Sequence, residues 1–189
     1  MVFSLPNLVT WTRILLIPLI VGIFYVPDAW LQQDVKNMTA TAIFILAALT
    51  DWLDGYLART LNQMSAFGAF LDPVADKLVV VGALIVLLTL GRVDMVVALI
   101  IIGREIAISA LREWMARVGQ TKSVAVAFIG KLKTVFQMIA IPLLLWHDTL
   151  FDLVDCQFLG TVLINVAAVL TVISMLYYLR KALPYAKTP

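Results

Sequence analysis

Six apolar stretches, each near the length needed to cross about 30 Å of hydrocarbon, run from roughly 8 to 27, 38 to 59, 71 to 90, 93 to 115, 123 to 146 and 158 to 180. Polar or turn-forming segments punctuate them. Pro6 and Asn7 introduce the first, and D-A-W-L-Q-Q-D-V-K-N over 28–37 separates the first from the second, with Trp30 placed for a membrane interface. L-N-Q-M-S-A after Thr60, Gly91, A-R-V-G-Q-T-K-S over 116–123 and H-D-T-L-F-D-L-V-D-C over 147–156 make the remaining turns. The pattern predicts an all-α, polytopic integral membrane protein with six transmembrane helices, residues 1–189 forming a single membrane domain without internal repeats.

Composition narrows this further. The chain is 62% hydrophobic and 14% charged, with a mean hydropathy of +0.99, values that exclude both an ordinary soluble domain and a disordered chain. The opening M-V-F-S-L-P-N-L-V-T-W-T-R has no basic segment before its apolar run and no small-residue cleavage site after it, so the first helix is expected to be retained. The single cysteine, Cys156, cannot form an intrachain disulfide and is assigned no role. No nucleic-acid partner is expected at a net charge of +2.

The distribution of charge says more than its sum. With the N-terminus inside, the outer loops carry Lys36 and Arg92 as their basic residues and collect Asp28, Asp34, Asp94, Asp148, Asp152 and Asp155. Arg59, Arg112, Arg117, Lys122, Arg180, Lys181 and Lys187 fall at inner ends. Cationic inner loops place both termini in the cytoplasm.

The same orientation puts an acidic hairpin on the cytoplasmic side. Between Asp51 and Asp76 the chain reads D-W-L-D-G-Y-L-A-R-T-L-N-Q-M-S-A-F-G-A-F-L-D-P-V-A-D. At about 100° per residue, Asp51, Asp54, Gly55 and Ala58 share one face of the second helix. Gly68, Asp72 and Asp76 follow at steps of four on the third, and the short turn brings the two stripes together. One carboxylate at membrane depth costs roughly 2.5 to 3.5 kcal/mol on the mildest scale, so a group of four needs a compensating charge. Nearby basic residues are too few in sequence, Arg59 and Lys77 alone, which favours divalent metal. Oxygen ligands without cysteine, and the only histidine, His147, on the opposite side, select Mg²⁺ or Mn²⁺ over Zn²⁺. Magnesium keeps coordination positions for substrate phosphate, and a pair of ions could polarise a diphosphate. Gly55 and Ala58 leave room where a ribose or base could lie against the backbone; close helix packing is the plainer explanation of each small residue alone.

The spacing D-x2-D-G-x2-A-R-x8-G-x3-D-x3-D is satisfied by Asp51, Asp54, Gly55, Ala58, Arg59, Gly68, Asp72 and Asp76. It resembles the signature of the CDP-alcohol phosphotransferase family, integral membrane enzymes that move a phosphate-linked group from a CDP-alcohol to another alcohol. The resemblance extends over most of the chain. It implies that Asp51, Asp54, Asp72 and Asp76 ligate two divalent cations, that Asp76 is also the catalytic general base, and that Gly55, Ala58 and Arg59 hold the cytidine nucleotide. Family members are often homodimers, and a homodimer is expected here.

Within the family, the segments G-R-E-I-A-I-S-A-L-R-E-W-M-A, S-V-A-V-A-F-I-G-K-L-K-T-V-F-Q-M and A-A-V-L-T-V-I-S-M-L-Y-Y-L resemble bacterial members that join CDP-diacylglycerol to sn-glycerol 3-phosphate and release CMP. That resemblance implies a multi-pass enzyme of the bacterial cytoplasmic (inner) membrane whose active site faces the cytoplasm. An acceptor phosphate would suit Arg104 and Arg112, two turns apart on one side of the fourth helix, and Lys131, Lys133 and Thr134 on the fifth. Lys131 and Lys133 point to different faces, so one of the two is expected to reach the phosphate. For Arg104 an ion pair with Glu105 is the competing role. Asn7, Thr10 and Arg13, at three-residue steps on the first helix, can reach the nucleotide or phosphates; capping by Asn7 with an interfacial arginine is the alternative. Serine, inositol or its phosphate, phosphatidylglycerol and choline-type alcohols are rival acceptors. A divalent-cation transporter is the rival class, but its paired broken helices in two pseudo-symmetric halves are not seen in the sequence.

Overall fold

A computed structural model describes residues 5–60, 66–119, 128–150 and 153–187. These form six α-helices: α1 Leu5–Gly22, α2 Gln33–Thr60, α3 Ala66–Thr89, α4 Met95–Arg117, α5 Phe128–Trp146 and α6 Cys156–Ala182. The helices follow the six apolar stretches, with ends set by local chemistry. The first was expected to reach residue 27, but α1 stops at Gly22 and passes through a 3₁₀ turn, Ile23–Tyr25, into extended Val26 ahead of Pro27. Asp94 caps α4 by accepting from the amides of Val96 and Val97, and Asp155 caps α6 by accepting from Phe158. The connection between α5 and α6 holds one feature that hydropathy does not register, an antiparallel pair of two-residue strands, β1 Thr149–Leu150 and β2 Val154–Asp155.

Helix α1 packs against both α2 and α3, α5 lies along α6 and α2, and α4 rests on α6 and α3. Two glycines set the closest approaches. A Cβ on Gly82 of α3 would stand 3.1 Å from Ile17 of α1, and one on Gly160 of α6 would meet Leu144 of α5 at 2.7 Å. Gly160→Val is therefore expected to cost about 1–3 kcal/mol through overpacking and to lower the melting temperature of detergent-solubilised protein by several degrees, with substrate affinities retained.

The shared core is built from Ile20, Phe44, Leu84, Leu87, Ile101, Ile141, Leu144 and Ile164. Many large apolar side chains point outward instead, among them Leu15, Leu19, Phe70, Leu99, Ile106 and Val169. An apolar exterior of this extent is a lipid-facing surface. Among the described residues, α5 and the segment Cys156–Tyr185 are long and apolar enough by composition to cross a membrane; α2, α3 and α4 carry several charged residues in their sequences.

The two basic residues of the expected outer loops are both internally paired. Lys36 donates to Asp28 at 2.5 Å. Arg92 is buried and donates to the carbonyls of Leu144 and Leu145 and to Asn37, tying the turn before α4 to the C-terminal end of α5. Burial pushes its guanidinium below the ordinary arginine range, and Asp148 pulls it back up.

Candidate active site

Asp72 and Asp76 stand one turn apart on α3, and α1 supplies a donor to each. Thr10 donates its hydroxyl to Asp72 Oδ1 at 2.5 Å, and Arg13 donates NH1 to Asp76 Oδ1 in an ion pair. Arg13 and Thr10 are almost wholly buried, whereas 43% of the Asp76 side chain remains accessible. One oxygen of Asp76 is thus anchored from inside the protein while the carboxylate still faces open space. This pairing crosses 63 positions in sequence. The neighbour count that left the aspartates to Arg59 and Lys77 misses it, because i to i+4 periodicity places residues on faces without saying which distant helix meets that face.

Asp76 opens onto a cavity of about 440 Å³ between α1, α2, α3, α4 and α5. Arg13, Lys77, Arg104, Arg112 and Lys133 line it as cations and Asp76 and Glu105 as anions, with Thr134 and Gln137 among its neutral polar groups. Glu105 sits at the centre of the α4–α5 side. Its Oε1 accepts from Arg104 NH1 at 3.1 Å and from Lys133 Nζ, so it holds two cations from different helices in one place. Lys133 also reaches Gln137 at 3.3 Å. The ion pair that competes with phosphate binding for Arg104 is therefore present, but it uses one terminal nitrogen only; Arg104 Nε is buried without a partner among the described residues. Arg112 has no carboxylate partner among these residues. Its guanidinium lies over the ring of buried Tyr178 on α6, 5.6 Å from the centroid, and its Nε is likewise unpartnered.

A second, apolar groove of about 510 Å³ runs between α2 and α5, lined by residues including Met38, Ala42, Ile45, Ile139, Pro142 and Trp146. Met138 borders both spaces. A charged chamber and an oily groove with a common wall suit a ligand that is ionic at one end and hydrocarbon at the other.

A family model for the CDP-alcohol phosphatidyltransferases matches residues 3–173. The chain belongs to the CDP-alcohol phosphatidyltransferase family. It is a membrane-protein transferase. Among its relatives, the CDP-diacylglycerol--glycerol-3-phosphate 3-phosphatidyltransferases of Salmonella choleraesuis and Salmonella typhi are each 48% identical over 190 residues, covering 96% of both chains. The protein of the same name from Escherichia coli K12 is 47% identical over the same length and share.

Within this phosphatidyltransferase, the motif residues fall in two groups. Asp72 and Asp76 are described, as is Gly68, buried near the start of α3. Asp51, Asp54, Gly55, Ala58 and Arg59 lie on the last turns of α2 and Asn7 on the first turn of α1, but their side chains lie outside the described residues. Of the acceptor-side residues, Arg104, Arg112, Lys133 and Thr134 converge on the cavity. Thr134 donates its hydroxyl to the carbonyl of Gly130. Lys131 is on the exposed face of α5 and is not among the lining residues, whereas Lys133 is. Two charged lining residues were not among the candidates from sequence, Glu105 as a shared acceptor and Lys77 on α3. Each sits beside a residue already selected, Arg104 and Asp76, and adjacency concealed them.

The described carboxylates of Asp72 and Asp76 fit a hard cation in kind, being oxygen donors one turn apart on α3, with open space before Asp76. Among the described residues no group of three metal-type side chains gathers, since the other two aspartates of the motif belong to the undescribed side chains of α2.

Proposed function

We propose that this protein transfers the phosphatidyl group of CDP-diacylglycerol to sn-glycerol 3-phosphate, giving phosphatidylglycerophosphate and CMP. One observation carries the choice of acceptor: the cavity beside Asp76 is lined by Arg104, Arg112 and Lys133, a concentration of cations that an uncharged alcohol such as inositol would leave uncompensated. The near full-length identity to relatives bearing that name supports the same choice.

In the mechanism we infer, the free primary hydroxyl of glycerol 3-phosphate attacks the phosphorus that carries diacylglycerol. A new P–O bond forms, the P–O bond to CMP breaks, and the hydroxyl proton passes to Asp76. Arg13 holds Asp76 Oδ1, which leaves the accessible part of the carboxylate for the hydroxyl. Asp51, Asp54, Asp72 and Asp76 would hold two divalent cations, Mg²⁺ or Mn²⁺. When bound, these would polarise the diphosphate and neutralise charge on departing CMP. Gly55, Ala58, Arg59, Asn7 and Thr10 would seat the nucleotide. Arg112, flat against Tyr178, and the Arg104–Glu105–Lys133 group would hold the acceptor phosphate, with Thr134 at its edge. The α2–α5 groove would take an acyl chain. Positioning and electrostatics suffice for such a displacement, and no phospho-enzyme is invoked.

The same reading includes six transmembrane helices, both termini and the active site on the cytoplasmic side of the bacterial inner membrane, and a homodimer. A direct check is CMP release by purified protein supplied with CDP-diacylglycerol and glycerol 3-phosphate. Chelation of divalent cations is expected to abolish release and added Mg²⁺ or Mn²⁺ to restore it. Undiminished release after chelation would remove the two-cation site, and Mn²⁺ flux into liposomes without CMP release would favour a transporter.

A further inference from the structure

Among the described residues, the charges around the cavity do not close pairwise. Arg13 is matched by Asp76, and Arg104 and Lys133 share Glu105. Arg112 rests on a neutral ring. Among the described residues Lys77 is the remaining cation of the lining, and its hydrogen bond goes to another neutral group, the hydroxyl of Ser109 on α4.

The Lys77–Ser109 contact has a fixed sense. Ser109 donates its own proton to the main-chain carbonyl of Glu105 at 2.6 Å, so its oxygen is left to accept from Lys77. One ammonium hydrogen is thereby committed and two remain for other acceptors. A snorkelling lysine would extend along the helix toward the headgroups. Lys77 is instead held laterally against the neighbouring helix. Pro73, Asp76, Lys77 and Val80 occupy one face of α3 at steps of three and four, and all four line the cavity. This places the ammonium on the α4 side of α3, in the cavity that Arg104 and Arg112 also line.

From this arrangement we infer that Lys77, tethered by Ser109, is a further ligand of the acceptor's phosphate group and a determinant of the preference for a phosphorylated alcohol. It would grip the phosphate from the α3 side while Arg112 and the Glu105-held pair grip it from α4 and α5. The acceptor hydroxyl would then lie next to Asp76, the residue immediately before Lys77. An ammonium half-buried in this setting with a neutral partner is costly to maintain, and a phosphate dianion is the compensation the cavity can take.

The inference rests on glycerol 3-phosphate being the acceptor, so the test separates the two. Lys77→Met is expected to raise the KM for glycerol 3-phosphate by about tenfold, with the KM for CDP-diacylglycerol unchanged and kcat within about threefold. Ser109→Ala, which frees the ammonium without removing it, should give a smaller rise in the same constant, and Lys77→Arg should recover part of the loss. Should the methionine variant fail to fold, Lys77→Gln keeps length and polarity and reads the same change. Unchanged acceptor KM in the folded variant, or a rise confined to CDP-diacylglycerol, overturns the assignment of Lys77. If Arg112→Met raises acceptor KM in the same assay while Lys77→Met does not, the Lys77 inference alone fails. If wild-type protein does not use glycerol 3-phosphate, the underlying reading fails with it.

Discussion

Asp76→Asn is expected to lower metal-dependent CMP release by about a thousandfold or more, the largest effect of any single substitution in this protein. Asparagine keeps the shape of the side chain and one oxygen, so the hydrogen bond from buried Arg13 to Oδ1 can persist and the α1–α3 contact survives. What it lacks is the second basic oxygen and the negative charge. With them go a proton acceptor for the incoming hydroxyl and one of the proposed ligands of the divalent cations. A retained melting temperature alongside lost turnover is the signature of that role. Asp76→Ala would be harder to interpret, because it also removes the ion pair that Asp76 makes with the nearly inaccessible guanidinium of Arg13.

The second large effect is expected on binding. Arg112→Met should raise the KM for glycerol 3-phosphate by about 30-fold, leave the KM for CDP-diacylglycerol in place and reduce kcat much less. The side chain is pre-positioned by the Tyr178 ring beneath it and has no carboxylate to satisfy it among the described residues, so its fork can be offered to phosphate oxygens. Arg112→Lys should recover little of the loss, since an ammonium neither stacks on the ring in the same way nor binds two oxygens at once. Steady-state kinetics with each substrate varied separately make the distinction. Equal rises in both KM values would show that the substitution disturbs the cavity as a whole.

Much of the helical framework was legible in the hydropathy pattern, because a helix that must bury or present apolar groups to lipid writes its length into the sequence. The acidic hairpin was legible for the same reason in reverse: four carboxylates and two glycines stand out where apolar residues are the rule. Faces were legible as well, as the common orientation of Arg104 and Arg112 shows. Pairings between distant helices were not. The Arg13–Asp76 ion pair and the Lys133–Glu105 contact join residues 63 and 28 positions apart, and helical periodicity carries no information about which faces meet. Periodicity placed Lys131 and Lys133 on different faces without deciding which is inward; packing of α5 against α6 and α2 turns Lys133 in and leaves Lys131 exposed. The strand pair after α5 escaped notice because two residues per strand are too short to show alternation.

The central claim is that a phosphorylated glycerol is the acceptor. The most direct measurement supplies purified protein with CDP-diacylglycerol, a divalent cation and, in parallel, radiolabelled glycerol 3-phosphate, serine, inositol, inositol phosphate or phosphatidylglycerol, and follows label into the lipid product together with CMP released. Stoichiometric incorporation with glycerol 3-phosphate and background levels with the others is the expected result. Incorporation of serine, inositol or phosphatidylglycerol at a higher rate than glycerol 3-phosphate would contradict it.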